Sequence, residues 1–210
     1  MKENNHSQAL YTLVTVFFFW GFIAAGNNIL IPFCKKYFSL DQFQSQLIEF
    51  AFYGAYYIGA LFLFIYSSVS KRNILNFWGF KSTIVYGLVL SAIGATIMVS
   101  AINGASPEDT SAFFYVLAAL FVVGLGFSLQ QTAAQPFAIS LGDEATGDKR
   151  LNFAGGVNSF GTVIGPIVVG LALFGTANKS DIDVTDISLS SAQIVYVGVG
   201  ILFLLAASNN

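Results

Sequence analysis

The sequence predicts an all-α integral membrane protein, a bundle of six transmembrane helices in one domain over residues 1–210. Three observations carry this. First, 55% of the residues are hydrophobic and only 10% are charged, whereas a soluble domain carries about 25% charged residues. Too few charges remain to cover a water-facing surface. Second, the chain contains six charge-free runs: Ala9–Cys34, Phe50–Ser70, Ser82–Pro107, Thr110–Gly142, Leu151–Asn178 and Ile187–Asn210. Each exceeds the roughly 20 residues that a helix needs to cross a hydrocarbon core of about 30 Å. Third, the runs lack period-2 alternation, so their backbones are satisfied as helices rather than as barrel strands.

Helix 1 is predicted over roughly 9–34. Its apolar stretch is longer than the 7–15 residues typical of a signal peptide, so it reads as a retained span. It contains "GNNILIPF", Gly26–Phe33. Helix 2, roughly 44–66, carries Glu49 just inside its start, the one acid within the spans as predicted. Tyr53 and Tyr57 follow at i+4 and i+8 on the same face. Helix 3 covers roughly 82–103. Helix 4, roughly 111–140, holds "QQTAAQPF", Gln130–Phe137, inside a charge-free run of 33 residues. Helix 5, roughly 152–175, is rich in glycine, with Gly161 and Gly165 forming a GxxxG pair suited to close helix packing. Helix 6 covers roughly 190–207. No basic loop follows it, which predicts that the chain is a piece of a longer protein.

Orientation follows from Lys and Arg in the short loops. Lys2, Lys71, Arg72, Lys81, Lys149 and Arg150 fall on one side, and Lys35, Lys36 and Lys179 on the other. Both termini are therefore expected in the cytoplasm. The acids Glu108, Asp109, Asp181, Asp183 and Asp186 lie in the outer loops and weigh little in this rule.

Helices 1 and 4 share a pattern. Asn27 stands five positions before Pro32, as Gln131 stands five before Pro136; Asn28 and Thr132 match four positions before. The two helices run in opposite directions, so the match predicts a 3+3 inverted repeat. Amides within apolar runs need partners, because an unpaired buried amide is costly where no water is present. Interhelical hydrogen bonding is one use. Gln131, Thr132 and Gln135 on one helix face, with Asn27, Asn28 and Asn158 elsewhere, offer more groups than such bonding requires. Amides both donate and accept, which suits the hydroxyls of a neutral sugar. Pro32 and Pro136 each remove a backbone donor and can bend the helix. Paired Asn-Pro-Ala half-helices of an aquaporin-type channel are absent from the sequence. One His and one Cys offer neither a catalytic cluster nor a metal site.

"RLNFAGGVNSFG" (Arg150–Gly161), "QTAAQPF" (Gln131–Phe137), "NNILIPF" (Asn27–Phe33) and "FQSQLIEFAFYGAYYIGA" (Phe43–Ala60) resemble the fucose:proton symporter family, a branch of the major facilitator superfamily. The family has twelve helices, so the chain resembles its N-terminal half and the C-terminal six-helix half is missing. The resemblance implies import of a fucose-like or glucose/galactose-like hexose across the inner membrane by alternating access, with no cofactor beyond a coupling proton or sodium ion. The partners it implies are the monosaccharide, the lipid bilayer and the missing half, and nothing points to nucleic acid. Substrate contacts are expected from Asn27, Asn28, Tyr53, Gln131, Thr132, Gln135 and Asn158. Pro32, Pro136, Arg150, Asn152 and Gly161 are expected to be structural or gating residues.

Departures from the family pattern stand beside the match. Asn28 and Gln131 replace an aspartate and a glutamate, Gly155 replaces a sugar-contacting amide, and Glu49 replaces a glutamine. Two outcomes stay open: Glu49 has taken over ion coupling, or the protein is a sodium-coupled or uncoupled facilitator. A membrane scaffold without transport is the remaining alternative.

Overall fold

The computed structural model describes residues 2–71, 73–103, 105–106, 110–174 and 189–208. It contains α1 (Lys2–Tyr37), α2 (Gln42–Ser70), α3 (Ile74–Trp78), α4 (Phe80–Ile102), α5 (Thr110–Ser140), α6 (Gly147–Phe174) and α7 (Leu189–Ser208), with a 3-10 turn at Glu144–Thr146. The six predicted helices correspond to α1, α2, α4, α5, α6 and α7. Five of them are long and apolar enough to cross a membrane, by length and composition; α7 is apolar and shorter. Of the charges used for orientation, Arg72, Glu108, Asp109, Lys179, Asp181, Asp183 and Asp186 lie outside the described residues.

Boundaries shift where local chemistry permits. α2 begins at Gln42 rather than near 44 because Asp41 caps it: the Asp41 carboxylate accepts from the Gln44 backbone N–H at 2.7 Å, and the Gln44 side chain accepts from the Asp41 N–H at 2.9 Å. This reciprocal box satisfies two of the orphan donors at a helix start. α2 also continues through Ser67, Ser68 and Ser70, where the Ser68 and Ser70 hydroxyls donate back to the carbonyls of Phe64 and Tyr66. The α2–α4 connection contains a further helix, α3, capped by the Asn73 side chain on the Leu75 N–H. Its Trp78 packs edge-on against Tyr86. The chain passes through Pro32, Pro136 and Pro166 inside continuous helices.

Packing follows the repeat in part. α1 lies along α6, and α2 along α5; exchanging the two halves converts one pair into the other. The pair α4·α7 maps onto itself. The match is incomplete, since α4 packs extensively on α5 whereas α1 barely meets α7. The α1–α6 crossing is unusually close. A Cβ on Gly161 would run into the carbonyl of Phe18, one on Gly165 into that of Phe22, and one on Gly21 into that of Asn158. Small residues let the two backbones touch where lipid gives no hydrophobic drive. Gly155 and Gly156 stand outside this contact, with open space before them.

The Arg150 side chain joins the end of α5 to the start of α6. Its Nε donates to the Ala138 carbonyl at 2.9 Å and its Nη1 to the Thr146 hydroxyl at 2.7 Å. Its Nη2 donates to the carbonyls of Asp143, at 2.9 Å, and Ile139. The α5 carbonyls are ones a helix end leaves unpaired, and a cation there also complements the helix dipole. Gly142 turns beneath the guanidinium at φ 145°, where a side chain would be both strained and in contact with Arg150. Arg150→Lys cannot reproduce this fork. It is expected to destabilise by about 2 kcal/mol, lowering the thermal midpoint by about 4–8 °C in detergent.

Candidate substrate cleft

Sequence-chosen amides from two helices meet in a cleft of about 510 Å³ between α1, α5 and α6. Gln131 and Gln135 line it from α5, Asn152 and Asn158 from α6, and Phe17 and Trp20 from α1. Gln131 and Gln135 sit one turn apart and therefore project to the same side. Counting 1.5 Å per residue from the helix ends, Gln135 lies about 8 Å and Asn158 about 17 Å below the end of the bundle at which α5 stops and α6 begins. The cleft thus reaches from one end to about mid-bundle.

Gln131, Asn158 and Trp20 are each held by a hydrogen bond to another helix. The Gln131 Oε1 accepts from the Tyr56 hydroxyl at 2.9 Å, tying α5 to α2. The Asn158 Nδ2 donates to the Phe17 carbonyl at 2.9 Å, tying α6 to α1. The Asn158 side-chain carbonyl accepts nothing among the described residues. Trp20 is fixed by Gln130, which is fully buried: its Oε1 accepts from the indole N–H at 2.8 Å, and its Nε2 donates to the Ser91 hydroxyl at 2.9 Å. Gln130 therefore spans α1, α5 and α4 without reaching the cleft, while its neighbour Gln131, 100° around the helix, does.

Other predicted residues are placed elsewhere. Asn28 is exposed and absent from the cleft lining. It shares a helix face with Phe17, eleven residues before it, but stands about 16 Å further along α1. Asn27, 100° away from Asn28, is buried and borders a separate small cavity beside α6 and α7. The Thr132 hydroxyl donates to the Ser128 carbonyl within its own helix, and the side chain is outside the cleft. Tyr53 is 46% exposed and packs edge-on against Phe52. The α2 tyrosine that reaches Gln131 is Tyr56, three positions on. Spacing from Glu49 points to Tyr53 and Tyr57 at i+4 and i+8; Tyr56, at i+7, lies closer to the face of Glu49 than either, and that signal is legible in the sequence.

Glu49 is partly buried in α2 and makes no hydrogen bond or ion pair among the described residues. It lies two turns, about 10 Å, from Tyr56 towards the end of the bundle opposite the cleft mouth. Glu49, Tyr53 and Tyr56 form a polar stripe along α2, with Gln131 at its inner end. No group of three or more metal-ligating side chains occurs among the described residues.

No protein-family model matches the chain. Among known proteins, it is 33% identical over 182 residues to a glucose/galactose transporter of Brucella abortus, covering 87% of this chain and 41% of that one. It is 34% identical over 214 residues to a putative glucose/galactose transporter of Helicobacter pylori, covering 99% and 48%. Among solved structures, the Escherichia coli fucose:proton symporter matches with a TM-score of 0.71 at 28% identity, over 95% of this chain and 47% of that one. The chain thus spans less than half the length of these relatives, which are transporters and not enzymes. By sequence and by fold, the chain is similar to the N-terminal half of these transporters of the major facilitator superfamily, and it carries the apolar helices of a multi-pass membrane chain.

Proposed function

We propose that this chain forms the N-terminal half of a monosaccharide transporter that works by alternating access, importing a fucose-like or glucose/galactose-like hexose with a coupled cation. The observation that carries this reading is the cleft: four amides around about 510 Å³, bordered by a pinned tryptophan. Amides donate to and accept from sugar hydroxyls, and an indole face packs on the C–H surface of a pyranose ring. The names of the relatives support the substrate class. A second six-helix half would close the open side of the cleft and complete the site. Both termini are assigned to the cytoplasm from the loop charges.

Gln135 and Asn158 are assigned to sugar contact, and Gln131 to contact shared with Tyr56. Asn27, Asn28, Thr132 and Tyr53 are not part of this cleft. Glu49 is the proposed coupling acid, set apart from Tyr56 by about 10 Å along the α2 stripe. Uncoupled facilitation is the second reading, favoured by the amides at Asn28 and Gln131, which cannot ionise.

The test is sugar uptake into proteoliposomes by the protein joined to its second half. Each of Gln135→Ala and Asn158→Ala removes about one neutral hydrogen bond, worth roughly 0.5–1.5 kcal/mol. Apparent affinity is therefore expected to fall roughly 2- to 12-fold per substitution. Unchanged uptake in both would remove the cleft as the sugar site. For Glu49→Gln, the expected result is downhill uptake without pH-driven accumulation; persistent accumulation would exclude Glu49 and favour another coupling route.

A further inference from the structure

Asn27 of α1 is only 6% exposed, yet its side-chain Nδ2 has no hydrogen-bond partner among the described residues. An unpaired amide donor is strongly unfavourable inside a membrane-spanning bundle. The side chain borders a cavity of about 30 Å³ between α1, α6 and α7. Apart from Gly26, the rest of the lining is apolar side chains, including Phe22, Leu30, Val169 and Leu173, with one exception: Tyr196 of α7.

The repeat explains the missing partner. Asn27 and Gln131 occupy matching positions, five residues before Pro32 and Pro136. Gln131 receives the Tyr56 hydroxyl from α2. The corresponding neighbour of α1 is α6, which brings Val169 and Leu173 to Asn27 and no hydroxyl. One half of the repeat therefore satisfies its amide with a side chain, and the other leaves a hole of molecular size.

We infer that an ordered water molecule occupies this cavity, accepting from Asn27 Nδ2 and bonding the Tyr196 hydroxyl, so that it joins α1 to α7. A water needs at least about 10–15 Å³ and two or more polar partners; the cavity has the room, and Asn27 and Tyr196 are the polar side chains in its lining. It is far too small for a sugar. A metal cation would face an N–H donor and no carboxylate. The inference does not depend on the transport reading, because it concerns how the bundle is held together.

Thermal unfolding of the purified protein in detergent tests it, using Asn27→Leu, Tyr196→Phe and the double substitution. Each single substitution is expected to lower the midpoint by about 2–4 °C. The double should fall no further than the larger single, since both remove the same water. A raised or unchanged midpoint in Asn27→Leu overturns the inference, because removing a dry, unpaired amide relieves its burial. Additive shifts overturn it as well. Should a variant fail to fold, an experimental density map of the unsubstituted protein decides. A peak about 3 Å from Asn27 Nδ2 is expected, and an empty cavity or one filled by a side chain refutes it.

Discussion

Gly161→Ala is expected to lower the thermal midpoint by about 6–12 °C and to reduce the yield of folded protein. A Cβ at this position meets the carbonyl of Phe18, with the Phe22 nitrogen close behind. Both are backbone atoms of a long helix, so neither can swing aside as a side-chain tip would. Relief requires α1 and α6 to separate, which loosens the contacts at Gly165 and Gly21 and the Asn158–Phe17 hydrogen bond together. Overpacking usually costs about 1–3 kcal/mol. The rigid obstacle places this case near the top of that range, and each kcal/mol shifts the midpoint of a chain this size by about 2–4 °C. Gly156→Ala is the matched control: the space before it is open, and its midpoint is expected to stay level or rise slightly. Equal behaviour of the two variants, read by fluorescence-detected size exclusion and thermal melting, would contradict the α1–α6 crossing described above.

Gln130→Leu is expected to destabilise by about 2–3 kcal/mol, most of it at Trp20. The substitution keeps the volume roughly constant and removes both polar ends. Ser91 has a second option, since its hydroxyl can turn back to a carbonyl of its own helix, as Thr96 and Ser100 do on α4. The Trp20 indole N–H has no such option, being 3% exposed. Shared hydrogen bonds between membrane helices average only about 0.6 kcal/mol when measured by double-mutant cycles. That figure measures the coupling, whereas Gln130→Leu leaves a donor stranded, so the larger number applies. A functional effect should accompany the loss of stability, because Trp20 borders the cleft. Sugar affinity is expected to weaken even though Gln130 never touches the cleft. Trp20→Phe, which removes the N–H together with its need, should restore most of the stability in the double substitution. Failure of that rescue would show that the Gln130–Trp20 bond is not the source of the loss.

The amides illustrate how far the sequence could be read. All were conspicuous as polar residues in apolar runs, but their neighbours decided their fates. Gln130 and Gln131 are adjacent and chemically identical, yet one is fully buried as a strut and the other lines the cleft. Asn27 and Asn28 also divide, one buried beside a small cavity and the other exposed and away from the cleft. Periodicity assigns residues to faces of one helix but not to the helix that each face will meet. Tyr56 was passed over for that reason: its position relative to Glu49 was visible, but its position relative to Gln131 depends on how α2 lies along α5. Arg150 was marked by its motif, while its role as a fork across the ends of α5 and α6 depends on a turn whose geometry Gly142 permits.

The membrane class, the helices and their approximate ends were determined by the sequence alone, because hydrocarbon allows a chain so poor in charge few ways to satisfy its backbone. The inverted repeat was also legible, since oppositely running helices carry the same Asn/Gln-to-Pro spacing. Only the tertiary structure decided which amides share a cleft and which stand apart. That selection depends on the side-by-side arrangement of helices, set by glycine contacts such as Gly161 on Phe18, and a linear pattern holds no record of which helix will be the neighbour.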